Sequence, residues 1–181
     1  MSKIYDSLDD GLCDFIAKQA MFFVATAPRD GGHINISPKG LDSFRVLGPK
    51  RVAYLDLTGS GIETIAHLRE NGRITIMFCA LSGPAKILRL YGQGAVRELG
   101  SEEFERLSGQ FDFSPGTRSI IEVALDRIAD ACGYGVPLYE YRGERDQLTR
   151  WAERKGDEGL SAYRADRNAA SIDGLKGYTG A

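Results

Sequence analysis

The sequence predicts a mainly β protein of the α+β class, in which antiparallel strands close into a barrel and a few helices lie at the periphery. Short apolar runs with alternating polar residues recur along the chain, and Gly, Pro, Asn and Asp residues separate them. Antiparallel strands in one chain of 181 residues leave exposed edges, and a barrel closes such edges directly. The chain has neither internal repeats nor low-complexity tracts, so a single fold accounts for the pattern.

Strands are predicted where the alternation is clearest. The first covers 22–27 and turns back through 28–32 into a second strand at 33–37, because Asp30 and Gly31 adopt positive φ readily. Three further strands are predicted at 51–57, 73–80 and 85–97, the last with bends or bulges at Gly92 and Gly94.

Helices are predicted where apolar residues recur at intervals of three and four. Ser7 is the predicted N-cap of a first helix, whose apolar residues lie on one face. A second helix is predicted at 101–110, where Ser101 precedes acidic residues that suit a helix N-terminus. Two polar helices are predicted at 148–155 and 159–168.

The composition restricts the functional class. With Lys+Arg 23 against Asp+Glu 25, the net charge is −2 and no basic run is concentrated, which argues against nucleic-acid binding. No apolar run approaches the roughly 18 residues that indicate a membrane-spanning helix, and no apolar leader follows a basic start. We therefore expect a cytoplasmic protein that contacts neither nucleic acid nor membrane.

The cysteines and histidines argue against two kinds of site. Cys13, Cys79 and Cys132 are odd in number, far apart and without a C-x-x-C motif, so neither a disulfide framework nor a zinc site is predicted. We interpret Cys132 as a small buried apolar residue. The only histidines are His33 and His67, which argues against metal clusters and Ser/His/Asp arrangements.

The sequence Thr58-Gly59-Ser60-Gly61-Ile62-Glu63-Thr64 joins an apolar strand to a helical pattern. At such a junction backbone N–H groups, hydroxyls and the positive end of a helix dipole converge, which suits a phosphate. Ser60 and Glu63 also match the S-x-x-E capping box, so the segment is explained as well by the start of a helix. From this segment alone the capping box is the more common explanation.

A second segment upstream, Ser37-Pro38-Lys39-Gly40, follows a short alternating strand. Pro38 fixes its own φ and restricts Ser37, while Gly40 permits a sharp turn. Lys39 is then held on a stiff backbone, where its ammonium could contact a phosphate. Taken alone, the pattern is typical of a solvated lysine in a turn.

Together these two segments, in this order and about twenty residues apart, resemble the pyridoxamine 5'-phosphate oxidase-like family of flavin-binding split β-barrels. The resemblance covers roughly residues 15 to 140. It is strongest to the subgroup that carries two further segments, here Cys132-Gly133-Tyr134-Gly135-Val136-Pro137 and Ser171-Ile172-Asp173-Gly174-Leu175. Each motif is short, but the ordered set is specific.

The resemblance implies a single FMN-binding split β-barrel domain over 1–181. The barrel covers about 20–140, and a C-terminal helical extension covers about 145–181. Segment 119–129 fits both a helix and a strand by its apolar spacing, and the resemblance favours a strand. The resemblance also implies a homodimer with FMN at the subunit interface.

For the site, the resemblance implies an FMN phosphate bound by a lysine, by hydroxyl donors and by glycine backbone, here Lys39, Ser37, Thr58, Ser60, Thr64, Gly59 and Gly61. The lysine supplies charge, the hydroxyls donate hydrogen bonds, and glycine lets the backbone approach because it has no Cβ. Lys86 and Arg89 lie on the strand that borders the cofactor in the family. Alternation turns them to opposite faces, so at most one faces the flavin.

The resemblance implies a flavin-dependent oxidoreductase acting on a small molecule. A non-catalytic flavin-binding or sensing protein and an F420-dependent reductase are the alternatives. Family members that oxidise pyridoxamine 5'-phosphate carry an arginine and a histidine near the C-terminus, whereas no histidine follows His67 here. That oxidation is therefore not predicted, and no catalytic residue or metal ligand is named. Tyr134 and Trp151 each fit either a flavin contact or ordinary packing.

Overall fold

The computed structural model describes residues 2–180, and its main feature is one eight-stranded antiparallel sheet. The strands are β1 (Ile4–Tyr5), β2 (Phe22–Thr26), β3 (Asn35–Lys39), β4 (Phe44–Gly48), β5 (Arg51–Leu57), β6 (Arg73–Cys79), β7 (Ile87–Glu98) and β8 (Thr117–Ala131). Their order is β3-β2-β6-β7-β8-β5-β4, and β1 pairs with β8. The predicted mainly β class is confirmed.

Four helices accompany the sheet in the described residues 2–180: α1 (Asp10–Ala17), α2 (Glu63–Asn71), α3 (Glu102–Ser108) and α4 (Gln147–Arg167). Gly156 interrupts α4 with φ 62°, so this helix consists of two segments, as the sequence predicted. Among these helices, none combines the length and the apolarity needed to cross a bilayer.

Strand β5 is buried on both faces, which explains its nearly continuous apolar sequence. Tyr54 points into the main core of the barrel, whereas Leu55 joins a second, smaller core. In that second core Phe104 and Leu107 of α3 pack against Ile120 of β8. Helix α3 therefore covers the outside of the barrel at β5 and β8.

The sheet curls back on itself: two strands that are far apart in the strand order come into contact. Strands β3 and β5, which carry Lys39 and Asp56, lie five positions apart in the strand order, yet Lys39 Nζ is 3.4 Å from Asp56 Oδ1. Strands β3 and β4 end the ladder and are not paired with each other in the described chain. The result is a barrel that stays open between its two edge strands.

The predicted hairpin is confirmed, with β3 shifted toward the C-terminus. Phe22 pairs with Lys39 and Thr26 with Asn35, so Pro38 and Lys39 belong to the strand and not to a turn. Pro38 is tolerated because β3 is an edge strand, where a missing N–H costs no ladder bond. Segment 119–129 lies within β8, which confirms the predicted strand. Strands β1 and β4 were not predicted.

Two predicted helix caps are wrong, and one is right. Helix α1 is capped by Asp9, whose carboxylate accepts the Leu12 N–H at 2.8 Å, and not by Ser7. Helix α2 begins after Ile62, which makes no side-chain cap bond, so Ser60 does not form a capping box. Ser101 caps α3 by accepting the Phe104 N–H at 3.2 Å.

The predictions for Gly92, Gly94 and Cys132 have different outcomes. A register shift between Tyr91 and Gly92 confirms the bulge at Gly92, where a Cβ would clash with the Ala124 carbonyl oxygen. The ladder runs without a shift through Gly94. The interpretation of Cys132 as buried is wrong, since this residue is exposed in the loop after β8.

Candidate functional site

A cavity of about 320 Å³ lies between the ends of β3 and β5, the turn at 58–61 and the first turn of α2. We call it the β3–β5 cavity. Its polar lining consists of Asn35, Ser37, Lys39, Ser43, Glu63, Thr64 and Arg118. Its apolar lining consists of Pro38, Leu41, Leu55, Leu57 and Leu148, with Gly40, Gly59 and Gly61 between them.

A buried ion cluster forms one wall of the β3–β5 cavity. Asp56 is fully buried, and its Oδ2 accepts a hydrogen bond from Arg118 Nε at 2.5 Å. Its other oxygen faces Lys39 Nζ at 3.4 Å, and the Lys39 side chain is 22% exposed. Burial by itself would raise the pKa of Asp56, but the charges of Arg118 and Lys39 outweigh it and hold that pKa below its usual range. Asp56 is therefore an ionised anchor for both cations.

The Arg118 guanidinium also fixes the turn at 58–61. Its Nη2 donates to the Gly61 carbonyl at 2.9 Å, and its Nη1 donates to Asn168 Oδ1 at 2.9 Å. Asn168 in turn donates to the Gly59 carbonyl at 2.9 Å. Because C=O and N–H point in opposite directions in a trans peptide, these bonds turn the next N–H groups, those of Ser60 and Ile62, away from Arg118.

Thr58 belongs to a buried network behind the turn. Its hydroxyl donates to the Gly116 carbonyl at 2.8 Å and accepts from Arg164 Nε at 2.9 Å. Arg164, on α4, also donates to the Thr117 carbonyl at 3.0 Å. The Thr58 hydroxyl is thus engaged with protein groups, and this residue holds α4 against the turn.

The Asn35 amide sets the direction of two hydroxyls in the cavity. Its Nδ2 donates to Thr64 Oγ1 at 3.0 Å, while its Oδ1 accepts the Ser37 hydroxyl at 3.1 Å. The Thr64 hydroxyl therefore keeps its own proton for a ligand oxygen, and Ser37 presents lone pairs. Thr64 is the better partner for an anion.

His67 lies behind this network and is fully buried. Its Nδ1 is 3.0 Å from the Thr26 hydroxyl, and its Nε2 has no hydrogen-bond partner among residues 2–180. Burial lowers the pKa of His67, although nearby carboxylates such as Glu63 oppose the shift. The ring is accordingly held in its neutral form.

Glu63 brings a negative charge to the rim of the cavity. Its Oε2 accepts the Ile62 N–H at 3.0 Å, and its Oε1 accepts the Ile172 N–H at 3.3 Å. The carboxylate thereby joins the N-terminus of α2 to the Ser171–Leu175 segment. Asp173 in that segment also accepts the backbone N–H of His33 at 2.8 Å and lies 2.7 Å from its Nδ1.

The structure brings together some of the predicted site residues and separates others. Those that line the β3–β5 cavity are Ser37, Lys39, Gly59, Gly61 and Thr64. Thr58 and Ser60 belong to the same turn but lie outside the lining, since Thr58 is buried and Ser60 is exposed. Lys86 and Arg89 lie elsewhere: Lys86 Nζ is 5.1 Å from the Phe15 ring centroid, and Arg89 stands between Met77 and Ala129 in the sheet.

Sequence reasoning missed Arg118, Asp56, Asn35 and Asn168. Arg118 and Asp56 are 62 residues apart, and no local motif joins them. One signal was present for Asp56, because a carboxylate inside an otherwise apolar strand is rarely buried without a partner. That signal indicates a buried cation, but it does not identify which one.

Trp151 and Tyr134 differ in their surroundings. Trp151 packs against Tyr163 on α4, with ring centroids 5.0 Å apart in an edge-to-face arrangement. Tyr134 is 85% exposed in the segment between β8 and α4. Trp151 is therefore a packing residue of α4, whereas Tyr134 is free to contact a partner.

Comparison with known proteins identifies the family. The family model described as pyridoxamine 5'-phosphate oxidase matches residues 8–132. This chain belongs to that family. A relative from Aspergillus flavus, described as pyridoxamine 5'-phosphate oxidase family protein ustO, is 40% identical over 98% of this chain and 78% of its own length. The predicted resemblance is confirmed at the level of the family.

Solved structures support the fold. A candidate pyridoxamine 5'-phosphate oxidase from Lactobacillus delbrueckii has a TM-score of 0.54 and 16% identity, covering 70% of this chain and 98% of its own. HupZ from Group A Streptococcus has a TM-score of 0.51 and 22% identity, covering 67% of this chain and 91% of its own. The predicted split β-barrel is confirmed, while the closer subgroup stays a prediction.

Proposed function

We propose that this protein binds FMN, with the flavin phosphate in the β3–β5 cavity, and that it acts as a flavin-dependent oxidoreductase. The observation that carries the proposal is that Lys39, Arg118 and Thr64 line the same cavity, where buried Asp56 holds both cations. Lys39 and the Thr64 hydroxyl, which has a free proton, are the donors offered to the phosphate. The Arg118 guanidinium is bonded to Asp56, Gly61 and Asn168, so it contributes its positive charge and not a direct contact.

The rest of the cavity agrees with a phosphate ester. Gly59 and Gly61 lack a Cβ, which lets a ligand approach the turn closely. The leucines of the lining suit the less polar part of such a ligand. We leave Thr58, Lys86 and Arg89 out of the proposed contacts, because the first is engaged with Arg164 and the other two lie outside the cavity.

Bound FMN supplies its own redox chemistry, and the protein need only orient it and select what approaches. Membership of a family described as an oxidase supports this role. We expect a substrate other than pyridoxamine 5'-phosphate, because the chain has no histidine after His67. Reduction of the bound flavin by NADH or NADPH would distinguish an oxidoreductase from a non-catalytic flavin-binding protein.

We further propose a homodimer with the flavin at the subunit interface. Two surfaces with exposed apolar side chains support it: Ile34 and Ile36 at edge strand β3, which are 74% and 67% exposed, and the segment between β8 and α4. In that segment Leu138 is 75% exposed and Tyr139 is 64% exposed. Apolar groups clustered in this way are typical of protein interfaces.

The test is the affinity of the protein for FMN and for riboflavin, which differ only by the phosphate. We expect FMN to bind at least about tenfold more tightly, because a charged hydrogen bond contributes roughly 1.5–3 kcal/mol. Lys39→Met should remove most of that preference. Methionine is the suitable replacement, since a glutamate at this position would add a second carboxylate beside buried Asp56.

Lys50→Met is the matched control, because Lys50 is exposed between β4 and β5 and lies outside the cavity lining. Calorimetric titration gives the affinities, and the melting temperature of each apo-variant checks that it is folded. Equal affinities of the wild-type protein for FMN and riboflavin would contradict the proposed phosphate site. An unchanged FMN preference in Lys39→Met would remove Lys39 from it.

A further inference from the structure

The Glu63 carboxylate lies at the head of α2, where a ligand anion would also be attracted. Its Oε2 accepts the Ile62 N–H at 3.0 Å and would be 3.0 Å from a Cβ built on Gly61. Glu63, Gly61 and Thr64 all line the β3–β5 cavity. The carboxylate therefore lies over the glycine turn, in the cavity that Thr64 also lines.

This carboxylate is not neutralised by a nearby cation. Among residues 2–180 the ion pairs of the cavity wall join Lys39 and Arg118 to Asp56, and none of the ion pairs includes Glu63. The partners of Glu63 are two backbone N–H groups, those of Ile62 and Ile172. Its charge is therefore compensated by neutral donors and not by a counter-ion.

The charges of the cavity wall consequently balance. Lys39 and Arg118 of the lining are positive and Glu63 of the lining is negative, while Asp56, buried behind the lining, supplies the second negative charge. A phosphate monoester that entered with Glu63 in place would bring its negative charge close to this carboxylate. Like charges in a partly buried site repel strongly, so the two anions compete for one position.

We propose that Glu63 is a built-in competitor for the ligand phosphate, which must displace its carboxylate from the Ile62 N–H. This inference rests on the proposed function and deepens it. Glu63 then determines specificity, because it weakens every ligand that places an anion at the turn and leaves ligands without a phosphate unaffected. Displacement of the Glu63 carboxylate also breaks the hydrogen bond from the Ile172 N–H, so the Ser171–Leu175 segment loses its contact with α2 at this residue.

The test is Glu63→Gln, which keeps the shape and one of the two acceptor oxygens but removes the charge. We expect FMN to bind roughly five- to tenfold more tightly to this variant than to the wild-type protein. Riboflavin affinity should change less than about twofold, since riboflavin has no phosphate to be repelled. Inorganic phosphate should likewise raise the melting temperature of the apo-variant more than that of the wild-type apo-protein.

Glu70→Gln is the matched control, because Glu70 lies on the same helix and accepts the Arg29 N–H outside the cavity. It should leave both affinities unchanged. Hydrogen exchange provides an independent readout: FMN, but not riboflavin, should accelerate exchange of the Ile172 amide in the wild-type protein. The Glu63 oxygen accepts the hydrogen bond of the Ile172 amide, and displacement of Glu63 by the phosphate would break this bond.

Two results separate failure of this inference from failure of the proposed function. If the wild-type protein prefers FMN to riboflavin but Glu63→Gln leaves FMN affinity unchanged or weaker, Glu63 is not a competitor, and the phosphate site stands. If the wild-type protein shows no preference for FMN, the phosphate lies outside the cavity, and both proposals are overturned.

Discussion

At the scale of single residues, burial decides the charge state of His67, whereas neighbouring cations decide that of Asp56. His67 is fully buried, and desolvation lowers its pKa more than nearby carboxylates raise it. The folded protein therefore binds a proton at this position less readily than the unfolded chain, whose histidine has a pKa of about 6.5. The stability that His67 contributes is present above about pH 6.5 and is lost as the pH falls through the folded pKa.

This predicts how the His67 ring titrates in an NMR experiment. The ring signals of His67 should titrate with a midpoint below about 6.5, the value of an unperturbed histidine. His33→Gln assigns the spectrum, because it leaves one histidine and changes a residue whose side chain is 75% exposed. A midpoint for His67 at or above that value would show that its ring is hydrated or paired with an acid.

At the scale of secondary-structure elements, the helix ends depend on which side chain reaches the free N–H groups. Asp9 accepts the Leu12 N–H at the start of α1, whereas Ser7 lies two residues too early. In α2 the turn at 58–61 is held by Arg118 and Asn168, so the helix begins after Ile62 and Ser60 makes no cap.

Asp9→Ala should therefore lower the free energy of unfolding by about 1 kcal/mol, the usual contribution of an N-cap. Ser7→Ala and Ser60→Ala are the controls, and each should change it by less than about 0.5 kcal/mol, as is typical of surface substitutions. Urea denaturation of the apo-protein measures all three. If Ser60→Ala lowers the free energy of unfolding as much as Asp9→Ala does, Ser60 caps α2 as the S-x-x-E pattern predicted.

At the scale of the whole molecule, the curled sheet places the β3–β5 cavity beside an exposed edge strand. Asn35, Ser37 and Lys39 of β3 line the cavity, while Ile36 between them is 67% exposed. Because side chains alternate along a strand, β3 presents one face to the cavity and the other to solvent or, in the proposed dimer, to a second chain. Binding of the cofactor and dimerisation would then depend on the same strand.

Light scattering of the flavin-bound protein should accordingly give twice the mass of the chain. Ile36→Glu should shift the population toward monomer and weaken FMN binding, because it places a charge on the proposed interface. Ile4→Glu is the control, since Ile4 is 58% exposed on β1, at another strand of the sheet. A wild-type monomer with flavin fully bound would contradict the proposed dimer.

Features that depend only on residues close together along the chain were predictable from the sequence. Strand β5 has the predicted bounds, because its apolar run is continuous and turn residues limit it. The segment that contains Lys39 and the turn at Gly59 and Gly61 were recognised from local chemistry, and the structure places both on one cavity. For segment 119–129 the local spacing was ambiguous, and family resemblance gave the strand that pairing with β5 and β7 stabilises.

The tertiary structure alone decided which charges meet. Arg118 reaches Asp56 across 62 residues, and Glu63 reaches Ile172 across 109. Such contacts depend on strand register and on how the sheet closes, and a shift of one residue would turn each strand side chain to the opposite face. The sequence by itself thus determined the family, six of the eight strands and the lysine of the candidate site. Only the folded barrel, by burying Asp56 between Lys39 and Arg118 and placing Glu63 over the turn, decided the electrostatics of the cavity.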